Sequence, residues 1–263
     1  MKTNYSFVRT PEELEKLAKI EHDTLGFFAQ EKLQVYWEID EEVYHKLLPP
    51  HFKPVVPWAF AYVANFGRPK CLYPYSEGAL FILAEVEGVV GAYCLAMPLD
   101  NNDQAMDGGR EFYGYPKKQA FVKLERRGNQ VYGWIERNDV RYFEISATVG
   151  EELNDPEYGP VALGPEGPSD GDGNVLLVKY DLDLSRIEDK HVGVSSLAAF
   201  HNFRIQTHIN RTVTHSKEYA RVDEMIIRPS EDDPWCELAP KKILGAEYSV
   251  FETYMNAATT MYE

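Results

Sequence analysis

Alternating apolar and polar residues, in runs of strand length, cover most of the chain. The runs are rich in aromatic and β-branched residues, which favour extended structure. Residues 119–137 form two such arms around Gly128 and Asn129, a pair that tolerates the positive φ of a tight hairpin turn. The other segments predicted as strands are 32–39, 58–66, 79–88, 140–150, 174–184, 203–215 and 241–255.

Two short segments have the pattern of helices. In residues 10–22, Thr10 can cap the first turn, Pro11 suits the first helical position, and apolar residues share one face. Residues 41–48 turn their apolar side chains to one side before two prolines end the helix. Many strands with so little helix between them predict a mainly β (α+β) fold of antiparallel sheets, and not a βαβ arrangement. Residues 164–174 are predicted as a loop.

Composition and charge narrow the class of protein. The 263 residues show no internal repeat and no shift in composition, so we expect a single domain over 1–263. Three cysteines without paired spacing indicate reduced thiols and a cytoplasmic protein. A formal net charge of −15 disfavours a nucleic-acid partner, since phosphates need a basic surface. No secretory signal and no membrane partner are predicted, because long apolar runs are missing from the sequence.

Candidate metal ligands in the sequence are weak. His201, His208 and His215 recur every seven residues, and an odd step along a strand alternates faces. Neighbouring members of this series therefore cannot share an ion. Residues 170–174 resemble the start of a calcium loop, but Val175 holds the position that needs glycine. We predict no metal site.

Two Pro-Lys-Lys sequences differ in their surroundings. Pro240-Lys241-Lys242 lies in an ordinary loop, whereas Pro116-Lys117-Lys118 follows an aromatic, glycine-punctuated run. Apolar surroundings disfavour the ammonium form of a lysine, and the neutral amine is a nucleophile. On an extended backbone the side chains of Lys117 and Lys118 point to opposite faces. An apolar pocket would then have to supply most of the destabilisation of the ammonium form, unless a turn brings the two side chains together. Two surface lysines after a turn remain the alternative.

The stretch Gly109–Ala120, "GREFYGYPKKQA", resembles the signature of the acetoacetate decarboxylase family, which reads Gly-Arg-Glu, three variable residues, then Tyr-Pro-Lys-Lys. Looser similarity extends over roughly residues 30–255. The resemblance implies a β-barrel or cone of antiparallel sheets with a few peripheral helices, and residues 1–25 as an N-terminal helical extension. It also implies a homo-oligomer.

The resemblance assigns roles to residues of the motif and of the segment 73–78, "YPYSEG". Lys117 corresponds to the nucleophile that forms the Schiff base, Lys118 to its cationic neighbour, and Glu77 to a glutamate that handles protons or orders the keto acid. Arg110 and Glu111 match motif positions at the substrate site, where an ion pair between them would fix the loop that presents the nucleophile.

Further residues are expected near the substrate. Tyr113 and Tyr115 line the pocket or pack beside it. The family's decarboxylases carry a second glutamate where Tyr62 stands, and an arginine before the first strand where the sequence offers Lys32. These departures indicate a keto acid larger or more apolar than acetoacetate.

The resemblance implies a lyase that decarboxylates a β-keto acid through an imine on Lys117. Because the imine itself accepts electrons, no metal or organic cofactor is expected. One alternative is an aldolase-dehydratase that condenses pyruvate or a related keto acid with an aldehyde. Another is a non-catalytic protein that binds small molecules in the same fold.

Overall fold

The computed structural model describes residue 11 and residues 25–70, 72–100, 102–164, 170–182 and 201–262. The helix predicted over 10–22 and the N-terminal extension lie almost entirely outside the described residues. Within these ranges the fold is mainly β, as predicted, with a few short helices. None of those helices has the length and apolar character that a bilayer crossing needs.

The elements of the described ranges are as follows in chain order. The strands are β1 (Leu25–Glu38), β2 (Lys53–Pro69), β3 (Tyr75–Val86), β4 (Val89–Leu99), β5 (Lys117–Gln119), β6 (Phe121–Arg127), β7 (Gln130–Arg137), β8 (Val140–Val149), β9 (Asp170–Leu182), β10 (His201–Ile227), β11 (Lys242–Met255) and β12 (Thr259–Tyr262). The helices are α1 (Glu41–Leu47), α2 (Asp103–Gly108) and α3 (Gly159–Leu163), with a π-helical turn at Gly109–Tyr113 and a 3₁₀ turn at Trp235–Leu238.

Seven strands form a closed ring. They follow the order β11-β1-β2-β3-β4-β9-β10, and β10 pairs again with β11. The ring agrees with the predicted barrel or cone. The described pairings are antiparallel, as predicted, except at two places where β4 pairs in parallel with β5 and with β9.

The long strand β10 leaves the ring and builds a second layer. Its residues 201–213 pair with β9, residues 210–220 with β11, and residues 220–227 with β8. The sheet β8-β7-β6 then packs against the outer face of the ring. Close packing needs Gly78 on β3, where a Cβ would lie 2.3 Å from Ile135 Cδ1 on β7.

Successive side chains along β1 face alternately the hydrophobic core and the cavities. Leu33, Val35 and Trp37 are fully buried in the core between the two layers. Lys32 and Gln34 turn to the opposite face and line cavities. The period-two pattern of a strand therefore places the polar side chains of this part of β1 on the inner face of the ring and the apolar ones on its outer face.

Local predictions hold in several places and fail in others. The hairpin turn lies at Gly128 and Asn129, with Gly128 at φ 65°. Helix α1 occupies the predicted segment, and Asp40 caps it by accepting from the amides of Glu42 and Val43. The predicted loop over 164–174 is wrong from Asp170 onward, because those residues extend β9 and pair with β10.

Candidate active site

A cavity of about 860 Å³ lies on the inner face of the ring. Six of the residues selected from the sequence line it, on β1, β2, β3, β5 and the segment just before β5. These residues are Lys32, Tyr62, Glu77, Tyr113, Tyr115 and Lys117. Much of the remaining wall is apolar and includes Leu25, Phe27, Phe66, Leu72, Met97 and Met255.

Lys117 is held at this wall by a short parallel strand. It pairs with Met97 of β4, and its side chain is only 6% exposed. The Nζ donates to Glu77 Oε2 at 2.5 Å and lies 5.6 and 5.8 Å from the ring centroids of Tyr75 and Tyr115. The predicted nucleophile and the predicted glutamate are therefore in direct contact in a nearly dry environment.

The second carboxylate oxygen of Glu77 also accepts a hydrogen bond. The hydroxyl of Tyr62 donates to Glu77 Oε1 at 2.8 Å. Burial, and then the charge of Glu77, raise the pKa of Tyr62 well above its ordinary value, so this phenol stays protonated near neutral pH. Lys117, Glu77 and Tyr62 thus form a continuous chain of proton donors and acceptors along the cavity.

The π-helical turn before β5 explains the glycines of the motif. A Cβ at Gly109 would lie 2.3 Å from Lys117 Cε, so only glycine leaves room for the lysine stem. Gly114 ends the turn at φ 82°, a conformation that other residues rarely adopt. The carbonyl of Gly109 accepts from the amide of Tyr115 at 3.0 Å, which closes the turn beneath Lys117.

The structure places Lys118 away from the cavity. Its Nζ donates to the carbonyl of Asp232 and forms an ion pair with Asp233 at 3.2 Å. The expectation that Lys118 lies in the pocket as a cationic neighbour of Lys117 is wrong. The physical reason is that Lys117–Gln119 is extended, so that adjacent side chains point to opposite faces.

Arg110 and Glu111 also lie outside the cavity. Both side chains are exposed, and within the described residues neither forms the predicted ion pair. The carbonyl of Glu111 instead accepts from Lys179 Nζ at 2.5 Å. The helical turn fixes the loop through its backbone, so a side-chain ion pair is not needed there.

His208 is a neighbour of the site that the sequence did not identify. Its Nε2 lies 2.6 Å from the hydroxyl of Tyr115, and the imidazole is buried. Burial lowers the pKa of His208 to about 4, so the ring is neutral at neutral pH. The regular spacing of three histidines drew attention to it only as a metal ligand, and in the described residues no group of three or more ligand side chains is arranged for an ion.

Comparisons with known proteins show the family of the chain. The model of the acetoacetate decarboxylase family matches residues 10–263. A CLA biosynthesis isomerase from Lactiplantibacillus plantarum is 30% identical over 251 residues, which cover 88% of this chain and 84% of that protein. An acetoacetate decarboxylase from Burkholderia ambifaria is 27% identical over 187 residues, covering 65% and 72%.

Two solved structures share the fold. The acetoacetate decarboxylase of Legionella pneumophila superposes with a TM-score of 0.74 at 16% identity, covering 90% of this chain and 87% of that one. The enduracididine biosynthesis enzyme MppR, complexed with the condensation product of pyruvate and imidazole 4-carboxaldehyde, has a TM-score of 0.70 at 14% identity, covering 99% and 97%. At such identities the likeness concerns the fold alone.

Proposed function

Since the chain belongs to the acetoacetate decarboxylase family, we propose that it is an enzyme in which Lys117 forms a Schiff base with the ketone of a keto acid. The observation that carries this proposal is the 2.5 Å contact between Lys117 Nζ and Glu77 Oε2 in a buried part of the cavity. A nucleophile and a proton carrier within hydrogen-bond distance are the two parts that imine formation needs.

Imine formation needs an amine that carries no extra proton. In the proposed reaction Glu77 accepts that proton from Lys117 through their direct contact. The amine adds to the ketone carbon, and the proton held by Glu77 goes to the oxygen that leaves as water. Tyr62, hydrogen-bonded to the other oxygen of Glu77, keeps that carboxyl in place.

Decarboxylation is the first candidate reaction. In the imine of a β-keto acid, the protonated nitrogen accepts the electron pair of the carbon–carbon bond as CO₂ leaves, which gives an enamine. A proton from water then passes through Glu77 to the enamine carbon, and a water molecule hydrolyses the resulting imine to free Lys117. The cavity of about 860 Å³, with its apolar wall, suits a substrate larger and more apolar than acetoacetate.

Double-bond isomerisation is a second candidate, favoured by the isomerase that is 30% identical to this chain. In the imine of an unsaturated ketone, Glu77 removes a proton next to the imine carbon, which gives a dienamine. Return of the proton to the far end of the dienamine moves the double bond, and no carbon–carbon bond breaks. Aldol condensation with dehydration would also begin from an enamine on Lys117.

Reductive trapping tests the proposal. We expect borohydride treatment in the presence of a panel of keto acids to leave a covalent adduct on Lys117, located by peptide mass spectrometry. Lys117→Ala should abolish adduct and turnover while the circular dichroism spectrum stays unchanged. The lysines of the second Pro-Lys-Lys, Lys241 and Lys242, are an internal control and should remain unmodified.

Products of the same panel separate the candidate reactions. Release of CO₂ supports decarboxylation, a shifted double bond supports isomerisation, and a new carbon–carbon bond supports condensation. An adduct on another lysine, or turnover by Lys117→Ala, would contradict the assignment of Lys117. Tight binding of keto acids without adduct or turnover would support the non-catalytic alternative.

A further inference from the structure

A row of inward-facing residues crosses the ring beyond the candidate active site. In the strand register Glu77 lies opposite Ala64, Ala64 opposite Lys32, Lys32 opposite Ser249, and Ser249 opposite Lys217. Residues directly opposite each other share one face of a sheet. At about 4.8 Å per strand, Lys32 lies roughly 10 Å along the sheet from Glu77, and Lys217 roughly 19 Å.

A second, more polar cavity of about 440 Å³ adjoins the first at this point. The side chains of Lys32, Thr212 and Phe251 line both cavities. The Nζ of Lys32 lies 5.0 Å from the ring centroid of Phe251. An extended molecule in the first cavity can therefore reach the second without crossing another layer of the structure.

The second cavity brings two partly buried lysines together. Lys217 Nζ lies 2.7 Å from Glu247 Oε2, and Lys32 Nζ lies 3.7 Å from Glu247 Oε1. Two ammonium groups thus share one buried carboxylate. The other acid in the lining, Asp172, is exposed, so that water screens its charge.

Two further features favour an anionic ligand here. The Oγ of Ser249 is buried in the lining of this cavity and has no hydrogen-bond partner among the described residues, although buried hydroxyls nearly always have one. Burial lowers the pKa of Lys32, and Lys217 lowers it further, while Glu247 opposes both. A second carboxylate would satisfy the serine and stabilise the Lys32 ammonium.

We propose that Lys32, Lys217 and Ser249 form a subsite for the carboxylate of a long keto acid whose ketone lies at Lys117. The inference rests on the proposed function and adds the substrate class: several apolar carbons separate the ketone from the carboxylate and fill the apolar part of the first cavity. A carboxylate held this far from the ketone is not the group lost in β-decarboxylation. The subsite therefore favours isomerisation among the candidate reactions.

Binding of ligands that cannot form an imine tests the subsite independently of Lys117. The probes are saturated straight-chain carboxylic acids of increasing length and the primary alcohols of equal length, measured by calorimetry on the full chain. We expect the long acids to bind about tenfold more tightly than their alcohols, as charge-assisted hydrogen bonds require. Lys32→Met should remove this preference, and Ser249→Ala should weaken it.

The matched control is Lys123→Met, which removes a lysine from the half-exposed face of the β6–β7 hairpin. Its acid-to-alcohol ratio should equal that of the unmodified chain. Equal binding of acids and alcohols, or a preference that survives Lys32→Met, would overturn the subsite. If Lys32→Met does not fold, an acid-to-alcohol ratio that is unchanged in Ser249→Ala would overturn the subsite. Acetate that binds as tightly as the long acids would also overturn it, because the site would then hold any small anion.

The two proposals fail in different ways. Preference for long acids without a borohydride adduct on Lys117 would leave the subsite standing and refute the imine. An adduct on Lys117 without any preference for acids would refute the subsite and leave the imine.

Discussion

At the scale of single residues, Gly109 decides where the amine of Lys117 can lie. A methyl group at this position would meet Lys117 Cε at 2.3 Å and Cδ at 2.6 Å. The backbone of Gly109 has φ −65° and ψ −40°, which alanine adopts without strain. We therefore expect Gly109→Ala to fold normally but to lower kcat by about 100-fold, the cost of a displacement of roughly 1 Å.

Gly108 provides the matched control for that prediction. It precedes Gly109 and also has helical φ and ψ, and the nearest atom to an added Cβ is Phe112 Cδ2 at 3.8 Å. Gly108→Ala should retain kcat, and both variants should keep the free energy of unfolding within about 1 kcal/mol of the parent chain. Equal activity of the two variants in a steady-state assay would show that Gly109 does not position Lys117.

At the scale of elements, β5 is a three-residue strand that depends on an anchor outside the cavity. Among the described strands, only β4 pairs with it, and this parallel pairing holds its backbone in the sheet. On its outer side, Lys118 bonds to the carbonyl of Asp232 and to the buried carboxylate of Asp233, which also binds Arg137 at 2.9 Å. The second lysine of the motif thus ties β5 to the segment before β11.

This arrangement predicts how Lys118→Met behaves. Loss of the anchor should loosen β5, lower kcat several-fold, and speed amide hydrogen exchange at Lys117 and Gln119. The shape of the pH profile of kcat should stay the same, because Lys118 faces away from the reacting amine. A profile displaced toward higher pH, with unchanged hydrogen exchange, would instead support an electrostatic role for Lys118.

The local sequence pattern predicts the positions of the strands better than it predicts how the strands pair with one another. Alternation located most strands, and the family resemblance pointed to Lys117 and Glu77, because each of these signals depends on a few neighbouring residues. The polar subsite around Lys32 depends on the register of β1, β11 and β10, three strands distant in sequence, which no short pattern encodes. The extension of β9 into a Gly-Asp segment was missed because pairing with β10 overrides its turn-like composition.

At the scale of the whole molecule, the closed ring buries His208 of β10 where water cannot hydrate a charged imidazole. Its pKa of about 4 lies below the ordinary value of 6.5, so the unfolded chain binds a proton that the folded chain does not between these pH values. The free energy of unfolding therefore falls as pH drops from 6.5 to 4, by up to about 3 kcal/mol from this group. Below pH 4 both states carry the proton and the loss levels off.

His208→Gln should reduce this acid sensitivity, since glutamine does not titrate and its amide can still bond to Tyr115. We expect the slope of unfolding free energy against pH, from denaturant titrations between pH 4.5 and 6.5, to drop by up to about 1.4 kcal/mol per pH unit. His215→Gln is the control, because His215 lies on the same strand but its side chain is 53% exposed. Equal slopes in the parent chain and His208→Gln would mean that the ring does not exclude the charged imidazole.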